Sequence, residues 1–491
     1  MTLQAESLAE KPVSDQGTVD FFTNPKQIGT VGLALSFAAA WFGATSTKAI
    51  MDGYWKNGLS ALWMIAIPST LTMLLVALFV GKRVQALPYM SQPEAVEHAF
   101  GKRGRFFLAW VIIIASTTTV ASQLVASRQL LNALLGEWGE PLLLSLYGIV
   151  ILYSLLGGFF AVAFTDTLQC MLMLFALTSL AGFVAWQGWH HADAFQHAWM
   201  HPQAGADAYW TLLPEPAYAL VLTAVFALAW MIAPEMWQRM KACRSPQQAT
   251  KVSFLSMAFI IALCACVAWV GLSSQGVFHA LGFTPPAGQA NVFLWMTQQL
   301  PSTAWQALII VGFLSAVTST MDSSMNVASQ SLVYDVVQRF IAPRATWKEL
   351  RWVNYAFLPI QAVIAVLIAF RFNDIIKVLW LSADIYASTM LVPVLAILFS
   401  KHPHKQAGQW AMLVGFFCIL LTTLKQYTSL PLGFLPDYPF STLYSMALAG
   451  LMYLGVWKSR PQRSIPPSAS LSSMSSPQGE GVDYSKIGGF A

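Results

Sequence analysis

Apolar runs long enough to cross a bilayer, about 20 residues each, follow one another from Gly29 almost to Trp457. Polar positions are gathered into the short stretches between them. The pattern predicts twelve helical spans, at roughly 29–54, 59–81, 106–135, 140–163, 165–189, 216–237, 252–275, 304–337, 352–370, 375–399, 408–427 and 439–457. The alternating segments of about ten residues that mark a membrane β-barrel do not occur. The expected fold class is an all-α polytopic membrane protein.

Two spans are interrupted. The first carries "WFGATST" in its middle, with Gly43 at the centre, and the sixth reads "FALAWMIAPEMWQR", broken at Pro234. Proline removes a backbone donor and clashes with the preceding turn. A packing glycine and a proline kink would account for each alone. Their matched places, each opening a set of five spans, point instead to a transporter with a site at an inverted-repeat interface. This divides the chain into a polar tail (1–28), a first repeat (29–189), a second repeat (216–399), two additional helices (408–457) and a Ser/Pro/Gly-rich tail (464–491) expected to be disordered.

Composition agrees. The chain is 56% hydrophobic and 10% charged, where soluble chains have about 25% charged residues. Lys and Arg collect in alternate loops: Lys82 to Arg105, Arg239 to Lys251, Arg339 to Arg351, then Lys401 and Lys405. The loops near 190–215 and 277–303 hold neither. The positive-inside rule places both termini and the basic loops in the cytoplasm, within a cell (inner) membrane. The net charge of +5 is no nucleic-acid signal, and the five scattered cysteines suggest neither disulfides nor zinc. The first 28 residues lack the pattern of a signal peptide.

The eighth span contains "SAVTSTMDSSMNVASQS", with eight hydroxyl side chains around Asp322. On a helix, Ala316, Ser319, Thr320 and Ser323 share one face. Hard cations take oxygen ligands, and neutral hydroxyls supply them without permanent charge. Each hydroxyl alone could instead bond its own i−4 carbonyl. The density of oxygens around an intramembrane acid favours a site.

These residues, with "GGFFAVAFTDTLQ" (157–169), "GYWKNGLSALW" and "STMLVPVLAILF", resemble the sodium:solute symporter family over roughly residues 30–460. The resemblance implies a LeuT-type fold and carriage of a small solute such as proline, pantothenate, a sugar, sialic acid or choline. It implies a main sodium site from the carbonyls of Ala39, Phe42 and Ala316 and the hydroxyls of Ser319 and Thr320. It further implies a second cation site or exit path at Asp166, with Ser319 and Ser323. Asp322 stands where relatives can have serine, which leaves stoichiometry and proton coupling open. Asp166 also reads as an N-cap for the fifth span. Many relatives carry one more N-terminal helix than this chain shows.

For the solute, the interrupted spans offer Trp41, Thr45, Ser46, Trp230, Glu235 and Trp237 as lining residues. Trp41 matches a position of choline carriers, but their further cage tryptophan aligns with Ala233. Lys48 and Arg128 would favour a carboxylate if they faced a vestibule, so an amino acid or other small carboxylate is expected, with a quaternary amine as the alternative. Lys48 and Asp52 are also i, i+4 neighbours placed to pair. No cofactor beyond sodium is expected. A sensor acting with a separate kinase, an enzyme and an uncoupled channel are the competing classes. No metal-ligand set favours the enzyme, because His190, His191, His197 and His201 are spread through a loop.

Overall fold

The computed structural model describes residues 16–23, 28–202, 206–286, 290–372, 374–427 and 435–459. Most of the N-terminal tail and the whole 464–491 segment lie outside these. Among the described residues all regular structure is helical. Eight of the described helices, or nine with the bent pair Pro216–Trp230 and Pro234–Ala242, are long and apolar enough to cross a membrane.

Two of them are too long for one crossing. Lys102–His190 is an 89-residue helical stretch, which as a straight rod would reach ~130 Å against a hydrocarbon core of ~30 Å. It turns at Gly136 and again at Gly158. Thr45–Ala86 likewise turns near Gly58. Counted between such breaks, each of the twelve expected spans has its helix. Span three is Lys102–Leu135, span seven Pro246–Ala280, and span eight Thr303–Gln330 with a π-helical continuation, Ser331–Ile341. Spans nine to twelve are Trp347–Arg371, Ile375–Phe399, Lys405–Tyr427 and Phe440–Ser459.

The boundary between spans four and five is a correction. The pattern placed it near residue 164; the chain turns at Gly158, with φ 56° and ψ −157°. Glycine adopts this backbone without the Cβ clash other residues meet. Its neighbours are as apolar as the spans themselves, so the turn left no polar mark. Asp166 therefore lies two turns inside span five and is not an N-cap.

Both interruptions are present. Span one runs from Thr30 to Trp41, loses helical geometry at Phe42 (φ −98°, ψ 75°) and resumes as the π-helical Thr45–Ala49 and Ile50–Asn57. Span six breaks between Trp230 and Pro234, its halves bent by 47°. Span eight packs on spans three and five, and span one on spans five and seven.

Two basic residues assigned to loops are buried in the protein. Arg105 bridges Asp335 and Glu97. Arg239 is wholly buried, because Pro234–Ala242 carries it inward as the second half of span six.

Candidate functional site

At the break of span one, backbone groups lose their intrahelical partners, and other spans supply them. The amide of Ala44 donates to Gln123 Oε1 of span three at 2.8 Å. The carbonyl of Ala39 receives the Ser319 hydroxyl of span eight at 3.0 Å. The same hydroxyl lies 3.0 Å from the Ala316 carbonyl, and Thr320 Oγ1 is 3.2 Å from that carbonyl. Ala39, Ala316 and Ser319 have no exposed surface and Thr320 is buried. Four of the five oxygens expected to hold sodium are thus drawn together between the two spans, and Phe42 stands at the break itself. The bonds joining them are hydroxyl-to-carbonyl bonds, which a cation of oxygen preference can replace.

Beside this cluster lies a cavity lined by Trp41, Thr45 and Ser46 of span one, Trp230 and Glu235 of span six, and Thr320 and Ser324 of span eight. Aromatic walls with a few convergent polar groups are the lining that small organic solutes take. Gly43 lines it too, and a larger residue there would have to displace its neighbours. A Cβ at Gly43 would stand 2.6 Å from Gln123 Oε1 and 2.7 Å from Thr320 Oγ1. The hydroxyl of Thr320 therefore belongs both to the oxygen cluster and to the cavity wall.

The aromatic residues form one connected wall. The Trp41 and Trp230 rings meet edge to face at 5.6 Å, Phe226 lies 6.0 Å from Trp230, and Tyr386 lies 5.9 Å from it. Trp41 Nε1 donates to Ser69 Oγ at 3.0 Å. Glu235, in the first turn after Pro234, accepts from Ser324 Oγ through Oε1 at 3.1 Å.

Three expected residues are placed elsewhere. Trp237 is buried and donates to the carbonyl of Met90 at 3.2 Å; two residues past Glu235 it occupies the opposite side of the helix. Lys48 pairs with Asp52 at 3.0 Å, and the other Asp52 oxygen accepts from the amide of Val292. The guanidinium of Arg128 lies 4.9 Å over the ring of Phe370. Among the described residues no Lys, Arg or His lines the cavity. The vestibule cations that favoured a carboxylate are therefore absent from this wall.

Asp166 is also differently engaged. Arg239 donates to it at 2.7 Å and to Ser323 at 2.7 Å, while Ser36 donates to the same carboxylate oxygen at 2.8 Å. Its charge is met by a guanidinium of the protein itself. Asp322 accepts from Tyr153 at 2.6 Å. Arg239, Gln123 and Ser324 were missed as site residues. The signal for Arg239 was its register on the Pro234 helix, masked by the basic string around it.

A profile of the sodium:solute symporter family matches residues 21–415. The chain belongs to that family. It is 24% identical over 465 residues to a sodium/proline symporter of Haemophilus influenzae, covering 91% of this chain and 90% of that one. It is also 24% identical over 433 residues to the high affinity choline transporter 1 of Rattus norvegicus, covering 84% of this chain and 72% of that one. Its fold matches a substrate-bound, outward-open Na+-coupled sialic acid symporter with a TM-score of 0.74 and 15% identity, over 90% of this chain and 92% of that one. The chain is accordingly a multi-pass membrane symporter coupling sodium to a small solute, and its fold is the five-plus-five repeat with broken first and sixth spans.

Proposed function

We propose that sodium binds the carbonyls of Ala39, Phe42 and Ala316 and the hydroxyls of Ser319 and Thr320, and that the solute occupies the adjacent cavity. The observation that carries this is the double membership of Thr320, which lets occupancy of one site set the shape of the other. Sodium draws span one onto span eight. The solute then closes the two broken spans over itself, and their rocking against the rest carries both into the cytoplasm. The basic residues that remain in the loops support a cytoplasmic place for both termini. The membrane potential supplies about 2.3 kcal/mol per charge per 100 mV. Asp166 and Ser323, tied by Arg239, hold the inner ends of spans five, six and eight together, with Asp322 on Tyr153 beside them.

The relatives' names point to two solutes, proline and choline, and both are small molecules with a positively charged nitrogen. These relatives support an amino acid or a quaternary amine as the solute class. The test is uptake into proteoliposomes of labelled amino acids, carboxylates and quaternary amines, with an inward sodium gradient and with potassium in its place. Sodium-dependent accumulation that vanishes in Ser319→Ala/Thr320→Ala is the expected result. Full sodium dependence in that variant sinks the assignment, and uptake indifferent to sodium marks a channel.

A further inference from the structure

The described wall of the cavity carries one acidic side chain, Glu235, and no basic one. Glu235 is 8% exposed. One carboxylate oxygen accepts from Ser324; the other, Oε2, has no partner among the described residues. The guanidinium of Arg239 is near enough to act on it through its charge but forms no bond to either carboxylate oxygen. Through Nη1 that group donates to the backbone carbonyl of Glu235, and its Nη2 is committed to Asp166 and Ser323. A carboxylate withdrawn from water without a countercharge costs several kcal/mol.

The same cavity is lined by aromatic rings. Trp41, Phe226 and Trp230 lie within 5.6 to 6.4 Å of one another. Ring faces attract cations, tryptophan most strongly. Two further polar atoms on the wall, Trp230 Nε1 and Thr45 Oγ1, lack partners among the described residues. A neutral hydrocarbon would leave all three groups unsatisfied. A simple anion would satisfy the two donors but oppose Glu235.

We propose that Glu235 is the solute's countercharge: the cavity recognises a positively charged nitrogen, held between Glu235 Oε2 and the rings of Trp41 and Trp230, in a molecule that also presents an oxygen to Trp230 Nε1. This rests on the symport reading above and narrows its solute. A carboxylate on the solute is not what the site selects; the charged nitrogen is.

Pairs of compounds that differ only at the nitrogen test this. Choline and 3,3-dimethylbutan-1-ol are one pair, proline and cyclopentanecarboxylate another. The thermal midpoint of the purified protein is measured in sodium with each. The nitrogen-bearing member of at least one pair is expected to raise the midpoint, and its carbon analogue to leave it unchanged. Glu235→Gln should lose that rise while keeping stabilisation by sodium alone, and Glu235→Asp should recover part of it. The pairs test the wild-type chain, so the result stands even if the variants fold poorly. The proposal is overturned if a carbon analogue stabilises as well as its partner, if neither nitrogen compound stabilises, or if Glu235→Gln keeps the rise. Failure of the sodium assignment reads differently: sodium alone would then stabilise Ser319→Ala/Thr320→Ala as well as the wild type.

Discussion

Arg239 and Asp166 meet at 2.7 Å with neither side chain exposed, joining the second half of span six to span five. Removing one member of a buried pair strands the other charge and costs about 3–5 kcal/mol, whereas replacing both with apolar groups can be neutral. Asp166→Asn should therefore lower the thermal midpoint sharply, and Asp166→Leu/Arg239→Met should recover much of the loss. Midpoints of the wild type, Asp166→Leu, Arg239→Met and the double variant in one detergent give the coupling directly. A double variant as damaged as the sum of its singles would show that the pair is not a unit.

Gly43→Ala should weaken sodium binding and solute binding together. The added methyl meets Gln123 Oε1 and Thr320 Oγ1 at less than 3 Å. Overpacking costs about 1–3 kcal/mol, so the sodium concentration for half-maximal stabilisation should rise about tenfold. An unchanged sodium titration would remove Gly43 from the argument.

Gly158→Ala should reduce stability without altering the sodium titration. The position has positive φ, and a Cβ there would lie 2.4 Å from the carbonyl of Phe21. Backbone strain of this kind costs about 1–3 kcal/mol. Thermal midpoint and sodium titration, measured on the same sample, separate the two effects.

Glu97 lies on the short helix Gln92–Phe100, outside the spans, between Arg339 at 2.5 Å and Arg105 at 3.0 Å. Burial acts to raise its pKa, but the two guanidiniums outweigh it and hold the carboxyl below its usual 4.5. Its contribution is present in full above the unfolded value and is lost as pH falls through the lowered folded value. Glu97→Gln should destabilise at pH 7, and the gap to wild type should close in acid below pH ~4.5. A gap that stays constant with pH would refute the ionic role.

What the sequence disclosed follows from how local each signal is. Pro234 breaks a helix by itself, so it was legible in one dimension. The hydroxyls of Ser319 and Thr320 share a helical face whatever surrounds them, so their register could be read. Gly158 turns the chain inside an unbroken apolar run, where hydropathy is blind to direction. Arg239 sits in a string of basic residues, and only the path of the helix begun at Pro234 shows that it points inward. The pairing of Lys48 with Asp52, one helical turn away, was legible in the same way as the hydroxyl register. Arg128 lies over the ring of Phe370, a partner distant in sequence that periodicity does not contain.

The bond from the Ala44 amide to Gln123 Oε1 has a consequence for how this protein tolerates change. A gap in a helix is usually thought of as a property of that helix. Here the instruction for it is written at two addresses, 79 residues apart: small residues at 43 and 44, and an acceptor of the right length at 123. A variant at either address is judged by the other, so the two positions carry one shared trait and a substitution tolerated in one background becomes disabling in another.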